Sequence, residues 1–167
     1  MSTRFSHETL KRAKGIKLLV LDVDGVLTDG GLYYGTDGEM LKKFHVHDGA
    51  GIKVVLGTGI QVAVISSRQT LAVDIRMNEL GVSNVLQGVQ DKFESLNNLV
   101  RRLDIKLDAV ACIGDDVADI PMMRCVGLAV AVANARQQVK ESAHYSTSAK
   151  GGHGAVREVC DLLLVAR

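Results

Sequence analysis

The apolar residues of this chain fall into short runs set apart by polar, helically spaced stretches. Leu18–Leu21 is purely apolar, leaves no face for water and reads as a strand buried on both sides. It stops at Asp22 and Asp24, with Gly25 behind them to let the backbone turn sharply. Gln61–Ile65, Asn84–Leu86 and residues 109–114 and 127–132 have the same character. Between them the spacing predicts helices over 48–56, 70–80 (closed by Gly81), 90–103, 117–125, 135–141 and Ala155–Val165. In 90–103 the residues Phe93, Leu96, Leu99, Val100 and Leu103 form one apolar stripe that faces a core. Residues 1–14 read as a short helix or a frayed start. Residues 30–47, with Thr36-Asp37-Gly38 between two extended runs, read as a hairpin.

Strands alternating with helices predict an α/β architecture, a mostly parallel sheet with helices on both faces, in one domain over residues 1–167. Ligands bind such sheets at the carboxyl ends of the strands, near the switch in strand order. The chain's polar strand ends are Asp22 and Asp24, Ser66, and Asp115 and Asp116, while Lys92 opens a helix near the same edge.

Composition narrows the classes. With 20 basic and 19 acidic residues the net charge is +1 and the basic residues are scattered, which argues against a nucleic-acid partner or an anionic membrane. No apolar run approaches the roughly 20 residues that span a bilayer. The start, MSTRFSHETLKRAKG, is polar and lacks the apolar centre of a signal peptide. Cys112, Cys125 and Cys160 are odd in number, form no CxxC pattern and read as small core residues of a reduced, cytoplasmic protein.

The strand-end residues carry the chemistry. Along an extended backbone Asp22 and Asp24 fall on one side, and two carboxylates that close are relieved by a proton or a divalent cation. Asp22, Asp24 and Asp115 form an all-oxygen donor set suited to Mg²⁺, and Ser66 and Lys92 are donors able to hold phosphoryl oxygens. An aspartate beside Mg²⁺ can attack phosphorus. His45 and His47 share a strand face without a third ligand, so a wet surface or a substrate contact is the preferred reading over a metal pair.

In this order, Asp22-x-Asp24-Gly-Val-x-Thr, Ser66, Lys92 and Gly114-Asp115-Asp116-x-x-Asp119 resemble the four motifs of haloacid dehalogenase (HAD)-type phosphatases. The resemblance implies a Rossmann-like HAD fold with Asp22 as nucleophile and Asp24 as general acid/base. It also implies Ser66 and Lys92 on the phosphoryl group, Mg²⁺ held by Asp22, Asp24 and Asp115, and Asp116 and Asp119 in support. About forty residues separate the first two motifs, room for a small β-hairpin flap but for no cap domain. The capless branch it resembles hydrolyses phosphorylated eight-carbon 2-keto-3-deoxy sugar acids for lipopolysaccharide, with a nine-carbon relative as the alternative. There the hairpins build a homotetramer that closes the site. The implied substrate contacts are His45, His47, Asp48, Gly49, Lys53, Arg68 and Arg76, and the loop of residues 150–157 is placed to reach an active site. The family commonly has arginine at the positions of His47 and Lys53 and threonine at that of Ser66. A receiver-type signalling module also pairs acidic residues with a hydroxyl and a lysine. It carries its phosphorylated aspartate on a later central strand, however, where this chain has Ser66-Ser67-Arg68.

Overall fold

The computed structural model describes residues 4–167, with the side chains of Glu39 and Met40 excepted. Met1, Ser2 and Thr3 of the expected N-terminal segment therefore lie outside the described residues. In chain order the elements are α1 (His7–Ala13), β1 (Leu18–Leu21), a wide turn (Val23–Leu27), β2 (Tyr33–Gly35), β3 (Gly38–Leu41) and α2 (Val46–Gly57). Next come β4 (Gln61–Ile65), α3 (Leu71–Leu80), β5 (Asn84–Leu86), α4 (Lys92–Leu103) and β6 (Val110–Gly114). A 3-10 turn (Val117–Asp119), α5 (Ile120–Met123), β7 (Leu128–Ala131), α6 (Gln137–Glu141), β8 (Tyr145–Ser146) and α7 (Ala155–Val165) complete the chain.

Six strands form one sheet in the order β5-β4-β1-β6-β7-β8, and every neighbouring pair is parallel. Leu18 sits opposite both Gln61 of β4 and Val110 of β6, so β1 is flanked by strands on both edges and covered on both faces. That is why all four of its residues must be apolar, and all four are fully buried. Right-handed crossovers put α2 and α3 on one face, joined by α1 and α7, and α4 and α5 on the other. The chain leaves β1 first toward β4 and β5, then returns past it to β6, β7 and β8. The ends of β1, β4 and β6 consequently flank the topological switch, the place where such a sheet opens a crevice. Between β1 and α2 lie the wide turn and the hairpin β2–β3, which forms a separate two-stranded sheet.

The structure shifts three sequence expectations and adds one strand. Helix α2 starts at Val46, with His45 as its N-cap, so His45 and His47 lie at a helix start and not along a strand. The helix expected over 117–125 is a 3-10 turn followed by α5, because Pro121 has no N–H to continue one ladder across the junction. Strand β8 is two residues long, too short to leave any period in the sequence. Cys112 and Cys160 are core residues, but Cys125 is exposed.

Candidate active site

Asp22 continues the extended path of β1, its N–H donating to the Ile113 carbonyl of β6 at 3.3 Å, and is 7% exposed. The chain then breaks from strand geometry. Gly25 has φ +91°, and a Cβ there would lie 2.0 Å from Asp115 Oδ2, so glycine is required both by the backbone and by the carboxylate resting on it. Thr28 clasps this turn: its hydroxyl accepts from the Gly25 and Gly30 N–H groups and donates to the Val23 carbonyl.

Lys92 stands in the first turn of α4, which Asp91 caps by accepting from the Glu94 N–H. Its ammonium lies 2.9 Å from Asp22 Oδ1 and 2.7 Å from Asp119 Oδ1. Asp119 accepts from the Asp115 and Asp116 N–H groups with its other oxygen. Both oxygens of Asp119 are thus committed to holding Lys92 and the loop after β6, while Asp22 and Asp115 face the cleft. Gly114 makes this possible, since a Cβ there would sit 2.5 Å from that of Asp119. Asp116 is exposed and caps the 3-10 turn through the Val117 N–H at 2.7 Å.

Burial, and then the charge of Asp119, pushes the Asp22 carboxyl up to about 6. Burial, and then Asp22, pushes Asp115 up to about 7. Burial opposes the charge on Lys92, but Asp22 and Asp119 more than offset it and hold the ammonium above its ordinary value. One lysine against three crowded carboxylates leaves negative charge unbalanced. Asp22, Asp115 and Asp119 have oxygens all within 4.8 Å of one another, and with Asp119 committed to Lys92 and the loop, Asp22 and Asp115 are left as hard donors that fit Mg²⁺.

Asp24 lies outside this cluster. Asp22 and Asp24 line the same cleft, and the Asp24 carboxylate is turned toward Lys42, whose ammonium is 2.6 Å from Oδ1. Arg68 Nε stands 3.7 Å from Oδ2 and its Nη2 donates to the Tyr34 hydroxyl at 3.1 Å. Among the described residues the close carboxylate group is Asp22, Asp115 and Asp119, and the Asp24 carboxylate stands apart from it beside two cations. Asp22, Asp24, Ser66, Arg68, Lys92 and Asp115 together line a cleft of about 260 Å³ at the strand ends. A larger depression of about 660 Å³ lies at the opposite end, between Lys17, Gln61 and Leu103, away from every carboxylate of the cluster.

Of the seven expected substrate contacts only Arg68 lines the cleft. His45 caps α2, its ring nitrogen accepting from the His47 N–H, and the two rings stack edge to face at 5.1 Å. Asp48 is buried and accepts from the Arg157 N–H at 2.8 Å, tying α2 to the start of α7, and burial raises its carboxyl above the ordinary range. Gly49 backs onto Arg76, whose guanidinium a Cβ there would meet at 2.3 Å, and Arg76 pairs with Glu79. Lys53 is exposed on α2. Sequence reasoning missed Lys42 altogether, because a lysine closing an apolar hairpin carries no local sign of its partner. The loop of residues 150–154 packs on the turn of its own chain that carries Asp24: the Gly152 N–H donates to the Val26 carbonyl at 3.1 Å.

Residues 66–159 match the family model of haloacid dehalogenase-like hydrolases. The 3-deoxy-D-manno-octulosonate 8-phosphate phosphatase of Yersinia pestis is 46% identical over 162 residues, covering 97% of this chain and 87% of the relative. Its crystal structure superposes with a TM-score of 0.95 over 97% of this chain and 88% of that one. The enzyme of the same description from Moraxella catarrhalis, solved with magnesium, phosphate and 3-deoxy-D-manno-octulosonate (KDO), is 41% identical with a TM-score of 0.95, covering 98% and 94%. Motif order, switch-point geometry and near-complete coverage agree: the chain belongs to the haloacid dehalogenase-like hydrolases, in the family of 3-deoxy-D-manno-octulosonate 8-phosphate phosphatases.

Proposed function

We propose that residues 1–167 form one catalytic domain, a Mg²⁺-dependent phosphomonoesterase that hydrolyses KDO 8-phosphate to KDO and phosphate. The observation that carries this reading is the cleft at the switch point, where Asp22 is fixed by Lys92 beside Asp115 in a chain so similar to a relative that binds magnesium, phosphate and KDO. Lys92 fixes one Asp22 oxygen, leaving the other to attack phosphorus. The P–O bond to the sugar breaks as the protonated form of Asp24 gives its proton to the departing alcohol, leaving Asp24 as the carboxylate and an aspartyl-phosphate on Asp22. Asp24 then takes a proton from water as it attacks phosphorus, and phosphate leaves with Asp22 restored. Ser66 and Lys92 hold the transferring oxygens. Asp22 and Asp115 would hold Mg²⁺, which supplies positive charge to carboxylates and phosphoryl group alike. Chelation should abolish turnover of KDO 8-phosphate and added Mg²⁺ restore it. Ca²⁺ should compete and support little turnover, its looser shell misplacing the nucleophile. Undiminished turnover after exhaustive chelation would overturn the metal-dependent reading.

The same reading places the reaction in cytoplasmic lipopolysaccharide synthesis and the chain in a homotetramer. Its support is the hairpin, where Leu32 and Tyr33 are each 44% exposed and Leu41 63%, too apolar for a solvated two-stranded flap. Met40, the other apolar residue expected there, has its side chain outside the described residues. No described helix is long and apolar enough to cross a membrane. Leu41→Asp should shift the sedimenting species from tetramer to smaller forms and raise KM for the sugar phosphate more than for p-nitrophenyl phosphate. A variant that dissociates yet keeps wild-type KM for the sugar would show that neighbours do not complete the site.

A further inference from the structure

Two aspartates two positions apart each have a lysine of their own. Asp22 is held by Lys92 from α4, and Asp24 by Lys42 from the end of the hairpin. The Lys42 side chain is 2% exposed, although it springs from a two-stranded flap that is otherwise largely in solvent. A long amine is rarely buried to this depth without a defined partner. Its ammonium meets Asp24 Oδ1 at 2.6 Å, and Arg68 approaches Oδ2 from the loop after β4 at 3.7 Å. The Asp24 carboxylate, 21% exposed and lining the cleft, is therefore gripped from two sides. The Tyr34 hydroxyl, also from the hairpin, accepts from Arg68 at 3.1 Å, so both cations that hold Asp24 are attached to the flap.

We infer that Lys42 is a positioning residue for Asp24: it fixes the carboxylate in the orientation that serves the leaving group and makes the proton-transfer step depend on the hairpin being seated. This rests on the acid/base reading of Asp24 given above. Asp24 lies beyond the last paired residue of β1, in the turn and outside the sheet ladder, so its side chain's direction comes from its partners. Lys92 cannot supply that direction, being engaged by Asp22 and Asp119. The hairpin then has a role within its own subunit, separate from any role in assembly.

The experiment compares Lys42→Met, Lys42→Gln and Lys42→Arg with Asp24→Asn, measuring kcat for an alkyl sugar phosphate and for p-nitrophenyl phosphate with Mg²⁺ present. Thermal melting and sedimentation are followed for each variant. Asp24→Asn should lose about 10²–10⁴-fold with the alkyl substrate and far less with the aryl one, whose leaving group needs no proton. Lys42→Met and Lys42→Gln should reproduce that selectivity with a smaller loss, about 10–100-fold for the alkyl ester. Lys42→Arg should recover most of it. The double variant Asp24→Asn/Lys42→Met should lose nothing beyond Asp24→Asn, because Lys42 acts through Asp24. A selective Asp24→Asn beside Lys42 variants that lose alkyl and aryl turnover equally, or lose neither, overturns the positioning role alone. Additive losses in the double variant overturn it as well. An Asp24→Asn that shows no leaving-group selectivity overturns the acid/base reading and this inference with it.

Discussion

Asp22→Asn is expected to leave a folded protein with essentially no phosphatase activity, a loss on the order of 10⁴–10⁶-fold, the range seen when a covalent nucleophile is removed. The amide keeps the size and much of the hydrogen bonding of the carboxylate but cannot attack phosphorus. The same substitution should raise stability at neutral pH when no metal is present. The folded values of Asp22 and Asp115, about 6 and about 7, both lie above the ordinary 3.8. Between pH about 4 and 7 the folded chain therefore binds more protons than the unfolded one, and its stability falls as pH rises through that window. The contribution of these two groups is fully present below pH 3.8 and lost above their folded values. Asparagine at position 22 removes one charge outright and relieves Asp115, for which Asp22 is the largest charge cause. Metal-free melting curves should accordingly show a shallower decline with pH in the variant than in the parent, and a higher Tm at pH 7.5. Mg²⁺ should close most of that gap by stabilising the parent more. Active sites commonly hold such uncompensated charge at the expense of stability. Substantial turnover by the variant would rule out an aspartyl-phosphate, and a steeper decline with pH would contradict the charge crowding.

What was legible in the sequence was whatever depended on neighbours in the chain. The run Leu18–Leu21 could only be a strand covered on both faces, and it is the central one. The order of Asp22, Ser66, Lys92 and Asp115 along four strand-end or helix-start positions placed them at one edge, where the cleft lies. What was not legible depended on side-chain direction after the chain leaves regular geometry. Strand alternation puts Asp24 on the side of Asp22, and both line the cleft, but alternation carries no sign of Lys42, 18 residues on, whose ammonium holds the Asp24 carboxylate. Asp48 is a substrate contact only by the family resemblance, and nothing local shows that its carboxylate accepts from the Arg157 N–H, 109 residues away. No period of 2 or 3.6 reports contacts of that kind.

The largest effect expected from a residue without functional atoms is that of Gly151→Ala. A Cβ at Gly151 would lie 1.7 Å from the Gly25 carbonyl oxygen, 2.5 Å from its carbon and 3.0 Å from the Thr28 carbonyl oxygen. All three are backbone atoms of the turn that carries Asp24, so no side chain can swing aside. Either the turn moves, taking Asp24 with it and disturbing Asp115 on Gly25, or the glycine-rich loop retreats. Retreat would break the Gly151 N–H bond to Asn134 Oδ1 at 2.8 Å and the Gly152 N–H bond to the Val26 carbonyl. The loop is also tied from behind, because the buried Glu158 carboxylate accepts from the Ser148 and Ala149 N–H groups and pairs with Arg4. With both sides restrained, the strain divides between them. Overpacking of this kind costs about 1–3 kcal/mol, and for a chain of this size each kcal/mol lowers Tm by about 2–4 °C. A displacement near 1 Å at the reacting groups costs about 10²-fold in kcat. Gly15→Ala is the control: a Cβ there meets nothing within 4 Å, and both Tm and kcat should stay at the parent values. The two glycines thus separate a general loss of backbone freedom from a push on the catalytic turn. Parent-like kcat in Gly151→Ala would show that the loop yields without moving the turn, and that the turn's position does not depend on it.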